Sequence, residues 1–304
     1  MQATYTVALC THNHADRLAR TLRDLALVRS PQKAWELLIV DNASADDTPA
    51  LLARHSWPQG WTVRVVREAK LGLSNARNRA IADATGEYVI FFDDDETADP
   101  DWLLAYERLI EAHRPDVFGG RIAVLFEDTR PAWLSDELLG FLGELARFPD
   151  IRPLTDPSTS FFGGNFGFRR EIVSRIGDFS PDLGRKGGDN TGGEEVDFYR
   201  RALAAQLSIW WTPEALIHHR IQAAKLSPGY FRDLHYKQGR MEASRALDHR
   251  RGLPPPYLFG QLLRASTTLL RQVFTLGPAR TLRQQMNVCY FAGRIVAHLR
   301  GPRR

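Results

Sequence analysis

The stretch EYVIFFDDDE, residues 87–96, decides which fold this chain of 304 residues adopts. Its apolar part, Tyr88 to Phe92, is typical of a buried strand, and four acidic residues, Asp93 to Glu96, follow it directly. Two interpretations are open. The acids could solvate the turn before the next helix, as most charge runs do. They could instead form a metal site, because carboxylates crowded at a strand end repel one another unless a hard cation such as Mg²⁺ or Mn²⁺ neutralises them.

Short β-rich runs alternate with helical patterns on both sides of this stretch, over the first 126 residues. Between the runs, apolar residues recur at intervals of three and four, which is the helical spacing. This alternation predicts an α/β fold of βαβ units with a mainly parallel sheet flanked by helices. The strands are predicted at 5–10, 35–41, 61–68, 87–94 and 116–126.

The pattern is looser between residues 127 and 220. The segment 161–170, FFGGNFGFRR, is predicted to be a strand interrupted by glycines, and a helix is predicted to start at residue 193. Between them lies GRKGGDNTGG, residues 184–193, which has five glycines and no apolar anchor. We expect this segment to be a lid that closes over substrate.

The charge is distributed very unevenly along the chain. From Ile221 onward there are 15 Lys and Arg against 3 Asp and Glu, a net charge of +12, whereas the preceding 220 residues carry a net charge of −8. We therefore predict two domains, residues 1–221 and a basic helical extension, 222–304. An anionic membrane surface or nucleic acid is the usual partner of such a basic segment.

Composition narrows the class of protein further. The 43% hydrophobic content is ample for a buried core, and two cysteines are too few for a disulfide framework or a thiolate metal site. The N-terminal stretch has no basic segment followed by an apolar core, and no apolar run approaches the length of a membrane span. We expect a cytoplasmic protein.

Polar residues follow three of the predicted strands. Thr11, His12 and Asn13 follow the first strand, Asp41 and Asn42 the second, and the acids 93–96 the fourth. Because the carboxyl ends of parallel strands meet in one crevice, these groups would form a pocket for a base, a ribose and a metal-bound diphosphate. The sequence contains no phosphate loop of the G-x-x-x-x-G-K-[ST] kind and no G-x-G-x-x-G after the first strand. This favours the metal-site interpretation.

Seven motifs, in order, resemble glycosyltransferase family 2: VALCTHNHADRLARTL, LLIVDNASADDT, LGLSNARNRAI, EYVIFFDDDE, GGNFGFRREI, GEEVDFYRRAL and PEALIHHRI. The resemblance covers about residues 4 to 221. It implies a GT-A fold, which is Rossmann-like, and an inverting transferase that uses a nucleotide-diphospho-sugar and a divalent cation, Mn²⁺ or Mg²⁺.

The resemblance also implies roles for individual residues. Thr11 and Asp41 match the positions that hold the base, with Asn13 beside them, and Arg77 matches an arginine that approaches the nucleotide. Asp93, Asp94 and Asp95 match the Asp-X-Asp signature, in which the first acid reaches ribose or metal and the last binds the cation. His219 falls on a histidine near the diphosphate and metal. Gly164 and Asn165 are placed at the sugar pocket, where a purely structural turn is the alternative for Asn165.

Three positions depart from the family pattern. His12 and His14 stand where the family often has Tyr and Arg. The general base maps to Glu195, where the family usually has Asp, and the adjacent Glu194 is the alternative. The Gln-x-x-Arg-Trp motif of processive synthases is absent, so we expect transfer of a single sugar.

The sequence therefore predicts an inverting, metal-dependent glycosyltransferase, with a UDP-linked sugar as donor and a saccharide or lipid-linked saccharide as acceptor. The alternatives are a sugar nucleotidyltransferase, which would need a glycine-rich loop after the first strand, and a non-catalytic nucleotide-sugar binding protein. For the basic tail, helices packed on the catalytic domain compete with a peripheral contact to anionic membrane. No nucleic-acid-binding motif is present.

Overall fold

A computed structural model describes residues 3–185, 192–246, 253–277 and 280–300. The chain divides into two compact units, one formed by Met1–Leu125 with Gly143–Arg220 and the other by Phe126–Leu142 with Ile221–Arg304. The second unit thus includes residues 126–142 in addition to the basic extension. The domain division at residue 221 stays a prediction about which parts fold independently.

The first unit contains a single sheet. The strands of the described residues are β1 Tyr5–Thr11, β2 Trp35–Asn42, β3 Thr62–Glu68, β4 Tyr88–Asp93, β5 Glu96–Ala98, β6 Val117–Phe126, β7 Arg152–Pro153, β8 Phe166–Arg169 and β9 Ile209–Ile221. Their order in the sheet is β3-β2-β1-β4-β8-β6-β9-β5, with β7 beside β9.

Helices connect and cover these strands, which confirms the predicted α/β class. Helix α3 packs on β1 and β2, and α1 packs on β5 and on α2. The helices of this unit are α1 Ala15–Leu25, α2 Thr48–Arg54, α3 Leu73–Asp83, α4 Trp102–His113, α5 Val173–Ile176 and α6 Glu194–Ala204.

The strands β3, β2, β1 and β4 form the parallel half of the sheet. Every residue of β1 is buried, and so is every residue of β2 after Trp35, because helices cover both faces. At the carboxyl ends Thr11 lies opposite Asp41, and Cys10 lies opposite Asp93. The register therefore brings the polar residues that follow three strands to one edge.

Strand β8 lies between β4 and β6 and is antiparallel to both. The strand predicted at 116–126 is thus present as β6. The βαβ alternation predicts that this strand lies next to β4, but β8 lies between the two. Gly167 makes the close approach possible, since a Cβ there would come 2.6 Å from the Phe118 ring and 2.8 Å from the Val89 carbonyl oxygen. The Phe166 ring stacks on Phe91 with centroids 5.4 Å apart.

The second unit contains α7 Pro228–Ala246, α8 Pro256–Leu276 and α9 Leu282–Arg300. Helices α7 and α9 run antiparallel. Gly239 of α7 lies against the Tyr290 carbonyl of α9, whereas Gly293, later in α9, lies against the Tyr236 carbonyl, earlier in α7. The sequence pattern predicts one helical stretch over 257–299, but Gly277, at φ 79°, ends α8. Of the helices in the part of the chain that the structure describes, none is long and apolar enough to cross a membrane.

Candidate active site

Asp94 is held by protein side chains at the end of β4. It accepts a hydrogen bond of 2.6 Å from the Thr11 hydroxyl, and its carboxylate lies 3.0 Å from Nδ1 of His14. This hydrogen bond to Asp94 raises the pKa of His14 against the opposing effect of burial. Asp94 is buried, with 8% of its surface exposed. These contacts join Asp94 to Thr11 and His14, and the nucleotide contact expected of Asp94 stays a prediction.

The loops after β1 and β2 are tied together at the same edge. The Asn13 side-chain oxygen accepts a hydrogen bond of 2.7 Å from the Ala45 amide, and the Asn13 amide donates to the Ser44 hydroxyl at 3.0 Å. Asp41 accepts a hydrogen bond of 3.0 Å from the Ser44 amide. Asn13 adopts φ 53°, a left-handed conformation that asparagine tolerates better than most residues. The structure therefore brings Thr11, Asn13 and Asp41 together.

The acids after β4 form a tight turn in which Glu96 folds back on the strand end. The Asp93 amide donates a hydrogen bond of 2.9 Å to the Glu96 carboxylate. Burial, then repulsion from Asp93 and Asp95, raises the pKa of Glu96 well above its usual range. Burial also raises the pKa of Asp93. The nearby Arg77 charge lowers this pKa, and repulsion from Asp95 raises it. Four carboxyl groups are therefore crowded into this turn, and two of them, Asp93 and Glu96, have raised pKa values.

Gly164 explains how Glu96 fits there. A Cβ at Gly164 would collide with the Glu96 carboxylate, so only glycine leaves room for it. Gly164 therefore borders the acidic turn. The sequence pattern assigned no role to Glu96 beyond its place in the acidic run, and the adjacent pair of glycines, 163–164, was the one signal of a crowded neighbour.

Strand β9 brings His219 to the same turn. Glu96 of β5 pairs with His219 in an antiparallel register, and the Asp95 carboxylate lies 3.3 Å from Nε2 of His219. Two of the three predicted metal ligands are thus in contact, and Asp93 lies two residues along the chain from Asp95. Within the described residues, no three His, Cys, Asp or Glu side chains form a ready metal site. Their chemistry nevertheless fits a hard divalent cation, because the donors are carboxylate oxygens and an imidazole, and because four carboxyl groups are crowded at this turn.

Arg77 connects the acidic turn with the start of α6. Its Nη1 donates a hydrogen bond of 2.7 Å to Glu194, and its Nη2 lies 3.6 Å from the Asp93 carboxylate. The guanidinium lies over the rings of Phe91 and Phe179, 5.4 and 5.7 Å from their centroids. Burial lowers the pKa of Arg77, but the carboxylates of Glu194 and Asp93 raise it by more.

In this environment Arg77 is engaged by protein groups, and its expected contact with nucleotide stays a prediction. Only 1% of its surface is exposed, and its charge is already opposed by two carboxylates. A Cβ at Gly163 would collide with Nη2 of Arg77, so the buried guanidinium fits only because residue 163 has no side chain. Arg77 is a buried link between two acid clusters that are far apart in the sequence.

Glu194 and Glu195 are neighbours at the N-terminus of α6 with different surroundings. Glu194 is buried, and Arg77 holds one of its oxygens. Burial, then repulsion from Glu194, raises the pKa of Glu195 to about 7, although Arg77 lowers it. Oε2 of Glu194 and Oε2 of Glu195 are both buried, and neither has a hydrogen-bond partner among the described residues. Of the two, Glu195 has the properties of a proton acceptor at neutral pH.

The predicted lid, residues 184–193, lies largely outside the described residues, since 186–191 are not described. On its described side, the Ser74 hydroxyl donates a hydrogen bond of 2.7 Å to the Leu183 carbonyl oxygen.

Asn165 cannot line a sugar pocket as predicted. It is fully buried, and its Oδ1 accepts hydrogen bonds from Trp102 Nε1 at 2.8 Å and from the Tyr106 hydroxyl at 2.7 Å. Its Nδ2 donates to the carbonyl oxygens of Arg121 and Ala215, both at 2.8 Å. These four contacts use the hydrogen-bonding capacity of the amide for joining α4, β6 and β9, which is the structural alternative.

The sequence was compared with known families. The model of the family described as Glycosyl transferase family 2 matches residues 6–177, more than half of the chain. The chain belongs to glycosyl transferase family 2. The enzyme class inferred from the motifs, a glycosyltransferase, is confirmed.

This family 2 chain has relatives over most of its length. It is 27% identical over 256 residues to the succinoglycan biosynthesis protein ExoM of Rhizobium meliloti, covering 81% of this chain and 76% of that protein. The mannosyltransferase PcManGT from Pyrobaculum calidifontis, solved with GDP-Man and Mn²⁺, matches with a TM-score of 0.63 and 17% identity over 98% of this chain and 87% of that one. Residues 1–349 of Staphylococcus aureus TarS, solved with UDP-GlcNAc, match with a TM-score of 0.54 and 16% identity over 96% of this chain and 90% of that one. The structural likenesses confirm the GT-A fold.

Proposed function

We propose that this glycosyltransferase moves one sugar from a nucleotide-diphosphate sugar to an acceptor hydroxyl with inversion, and that it needs a divalent cation. The observation that carries the proposal is Glu195. Burial, then repulsion from Glu194, raises the pKa of its carboxyl group to about 7, and it stands at the start of a helix that the Glu194–Arg77 pair ties to the acidic turn. A base at one end and a carboxylate cluster at the other are what an inverting transfer requires.

In this mechanism Glu195 accepts the proton of the acceptor hydroxyl. The acceptor oxygen forms a bond to the anomeric carbon on the face opposite the diphosphate, and the bond from that carbon to the diphosphate oxygen breaks. The electron pair leaves with the nucleoside diphosphate. Burial raises the pKa of this base, and repulsion from Glu194, which Arg77 holds, raises it further.

Asp95, Asp93 and His219 would hold the cation, Mn²⁺ or Mg²⁺. When bound, it supplies a Lewis acid for the charge that develops on the departing diphosphate. The support is the Asp95–His219 contact and the crowding of four carboxyl groups, Asp93 to Glu96, at this turn. The Mn²⁺ in the PcManGT complex is consistent with this assignment.

The nucleotide is proposed to lie at the edge formed by Thr11, Asn13 and Asp41, which the register of β1 and β2 brings together. We propose UDP as the nucleotide, following the UDP-GlcNAc complex of TarS; the GDP-Man complex of PcManGT makes GDP the alternative to test.

We propose a saccharide or a lipid-linked saccharide as the acceptor, in the biosynthesis of a cell-surface polysaccharide or glycolipid. The similarity to a succinoglycan biosynthesis protein supports a polysaccharide pathway. The basic extension, with a net charge of +12 from Ile221 onward, supports peripheral contact with anionic lipid at the inner face of the cell membrane.

The test is a donor screen with the purified chain, Mn²⁺ or Mg²⁺ and a panel of UDP- and GDP-sugars. We expect slow hydrolysis of one UDP-sugar without acceptor, release of the sugar with inverted anomeric configuration, and loss of the reaction in Glu195→Gln. A retained configuration would refute the mechanism. Release of pyrophosphate from a nucleoside triphosphate and a sugar phosphate would instead identify a sugar nucleotidyltransferase.

A further inference from the structure

Helix α8 has two apolar sides, whose centres are about 120° apart around the helix axis. One side is buried or half-buried and includes Leu258, Leu262, Ala265 and Leu269. This side packs on α9, where Gln284 donates a hydrogen bond of 2.9 Å to the Ala265 carbonyl oxygen. A surface helix with one partner needs only one apolar side. The other side of α8 is therefore the feature to explain.

That other side carries four large apolar side chains in contact with solvent. Phe274 is 86% exposed, Leu263 65%, Leu270 59% and Phe259 51%. Their spacings of four, seven and four residues place them within roughly 60° of arc and along roughly 22 Å of the helix axis. We call Phe259, Leu263, Leu270 and Phe274 the exposed α8 stripe.

Arginines border this stripe. Arg264 and Arg271 are exposed and lie on one flank of it, at helical positions next to Gly260 and Thr267. Neither forms an ion pair with any residue that the structure describes. In the sequence, the last 56 residues contain ten arginines and no Asp or Glu. Helices α8 and α9 thus have positive charge and no acidic side chain of their own to balance it.

These features together select one occupant. A second copy of the chain packed stripe to stripe would bring four α8 arginines together with no acid of α8 or α9 to pair with them, and like charges at an interface repel. A bilayer with anionic headgroups offers what the surface lacks, because its acyl boundary accepts apolar side chains to a depth of about 5–10 Å and its headgroups pair with the arginines.

We propose that the exposed α8 stripe seats in the headgroup boundary of an anionic membrane, with Arg264 and Arg271 on the lipid phosphates. The inference rests on the proposed function for its purpose, since a lipid-linked acceptor keeps its sugar at this surface. The geometric argument uses only residues of α8. The membrane proposal and the proposed function can therefore fail independently of each other.

The test uses the full chain and vesicles of phosphatidylethanolamine with phosphatidylglycerol, against vesicles of phosphatidylcholine. We expect co-sedimentation with the anionic vesicles that weakens as salt rises. Leu270→Ser with Phe274→Ser should lower binding at least tenfold, and Arg264→Gln or Arg271→Gln about fivefold each. Because these side chains are exposed, the variants should keep the wild-type melting temperature and donor hydrolysis in solution.

Matched controls lie in the first unit. Leu27 is 72% exposed, and Arg54 is exposed on α2, so Leu27→Ser and Arg54→Gln remove comparable groups away from the stripe and should leave vesicle binding unchanged. Wild-type binding by the stripe variant would overturn the proposal, as would wild-type protein that ignores anionic vesicles. A wild-type dimer that the stripe variant converts to monomer would make a second copy the occupant. Vesicle binding without any transferase activity would refute the proposed function alone.

Discussion

Glu194 and Glu195 differ by one position in the sequence and by their partners in the fold. Glu195→Gln removes the proton acceptor, so we expect turnover to fall by roughly 10² or more while binding of nucleoside diphosphate is kept. Turnover by donor hydrolysis and affinity by calorimetry measure the two effects separately.

Glu194→Gln is the matched variant. It leaves the buried Arg77 with one carboxylate at 3.6 Å in place of two, and breaking a buried ion pair costs about 3 kcal/mol of stability. Denaturant unfolding should show this loss for Glu194→Gln and not for Glu195→Gln. If Glu194→Gln abolished turnover at full stability, the base would be Glu194.

The raised pKa of Glu195 predicts the pH dependence of the reaction. The base must be deprotonated, so kcat/KM should rise with pH up to about 7, the pKa of Glu195, and level off above it. A rate that is flat between pH 5 and 8 would contradict this assignment.

The same pKa predicts the effect of pH on stability. Because the folded state binds the Glu195 proton more tightly than the unfolded state, folding stability falls as pH rises from the ordinary carboxyl range through about 7. Glu195→Gln removes this loss. The melting temperature of the variant relative to wild type should therefore be higher at pH 8 than at pH 5, and an equal difference at both pH values would contradict the buried environment.

Asn165 provides a prediction that separates a structural role from a binding role. Asn165→Ala leaves Trp102 Nε1, the Tyr106 hydroxyl and two carbonyl oxygens without their buried partner. Since each such group costs about 1–3 kcal/mol, we expect a loss of about 3 kcal/mol or more by denaturant unfolding. The fraction that folds should bind nucleotide normally; weaker binding at unchanged stability would restore a pocket role.

At the scale of elements, the contact of α7 with α9 depends on two glycines. A Cβ at Gly239 would collide with the Tyr290 carbonyl oxygen, and one at Gly293 with the Tyr236 carbonyl oxygen. Gly239→Ala should therefore force the helices apart and lower stability, although alanine favours a helix.

Gly260 is the matched control because it also lies inside a helix, α8, and a Cβ there would meet nothing within 4 Å. Gly260→Ala should stabilise the chain by about 0.5–1 kcal/mol. Hydrogen exchange of α7 and α9 distinguishes the variants, with faster exchange for Gly239→Ala only. Equal exchange in both would mean that the helices are not closely packed.

At the scale of the whole molecule, a cation and nucleotide that bind only the folded chain must raise its melting temperature. At a hundredfold excess over Kd the stabilisation is about 2.7 kcal/mol. We expect UDP with Mn²⁺ to raise the melting temperature of the wild type, Asp95→Ala to show little shift, and EDTA to abolish both the shift and sugar transfer. The exposed Glu111 is the control acid, and Glu111→Ala should respond as wild type does. Full activity in excess EDTA would refute the cation.

The sequence by itself determined the parallel half of the sheet and the acids at its edge. Runs such as WELLIVD are apolar on both faces over a few residues, and the helices between them repeat at the helical period, so each element can be identified from its own residues. Parallel pairing then brings Thr11, Asp41 and Asp93 to one edge, since the carboxyl ends of such strands share it. The basic extension could also be predicted from the sequence, because the net charge of a segment depends only on which residues it contains.

Only the tertiary structure decided what holds those acids. Arg77 and Glu194 are 117 residues apart, and Asn165 joins groups from α4, β6 and β9, so no local pattern reveals either contact. The antiparallel insertion of β8 between β4 and β6 likewise depends on Gly167 meeting Phe118 across the sheet. Periodicity reports which face of an element is apolar. Which distant side chain neutralises a buried charge depends on packing, because burial and Coulomb interactions act between groups that only the folded chain brings together.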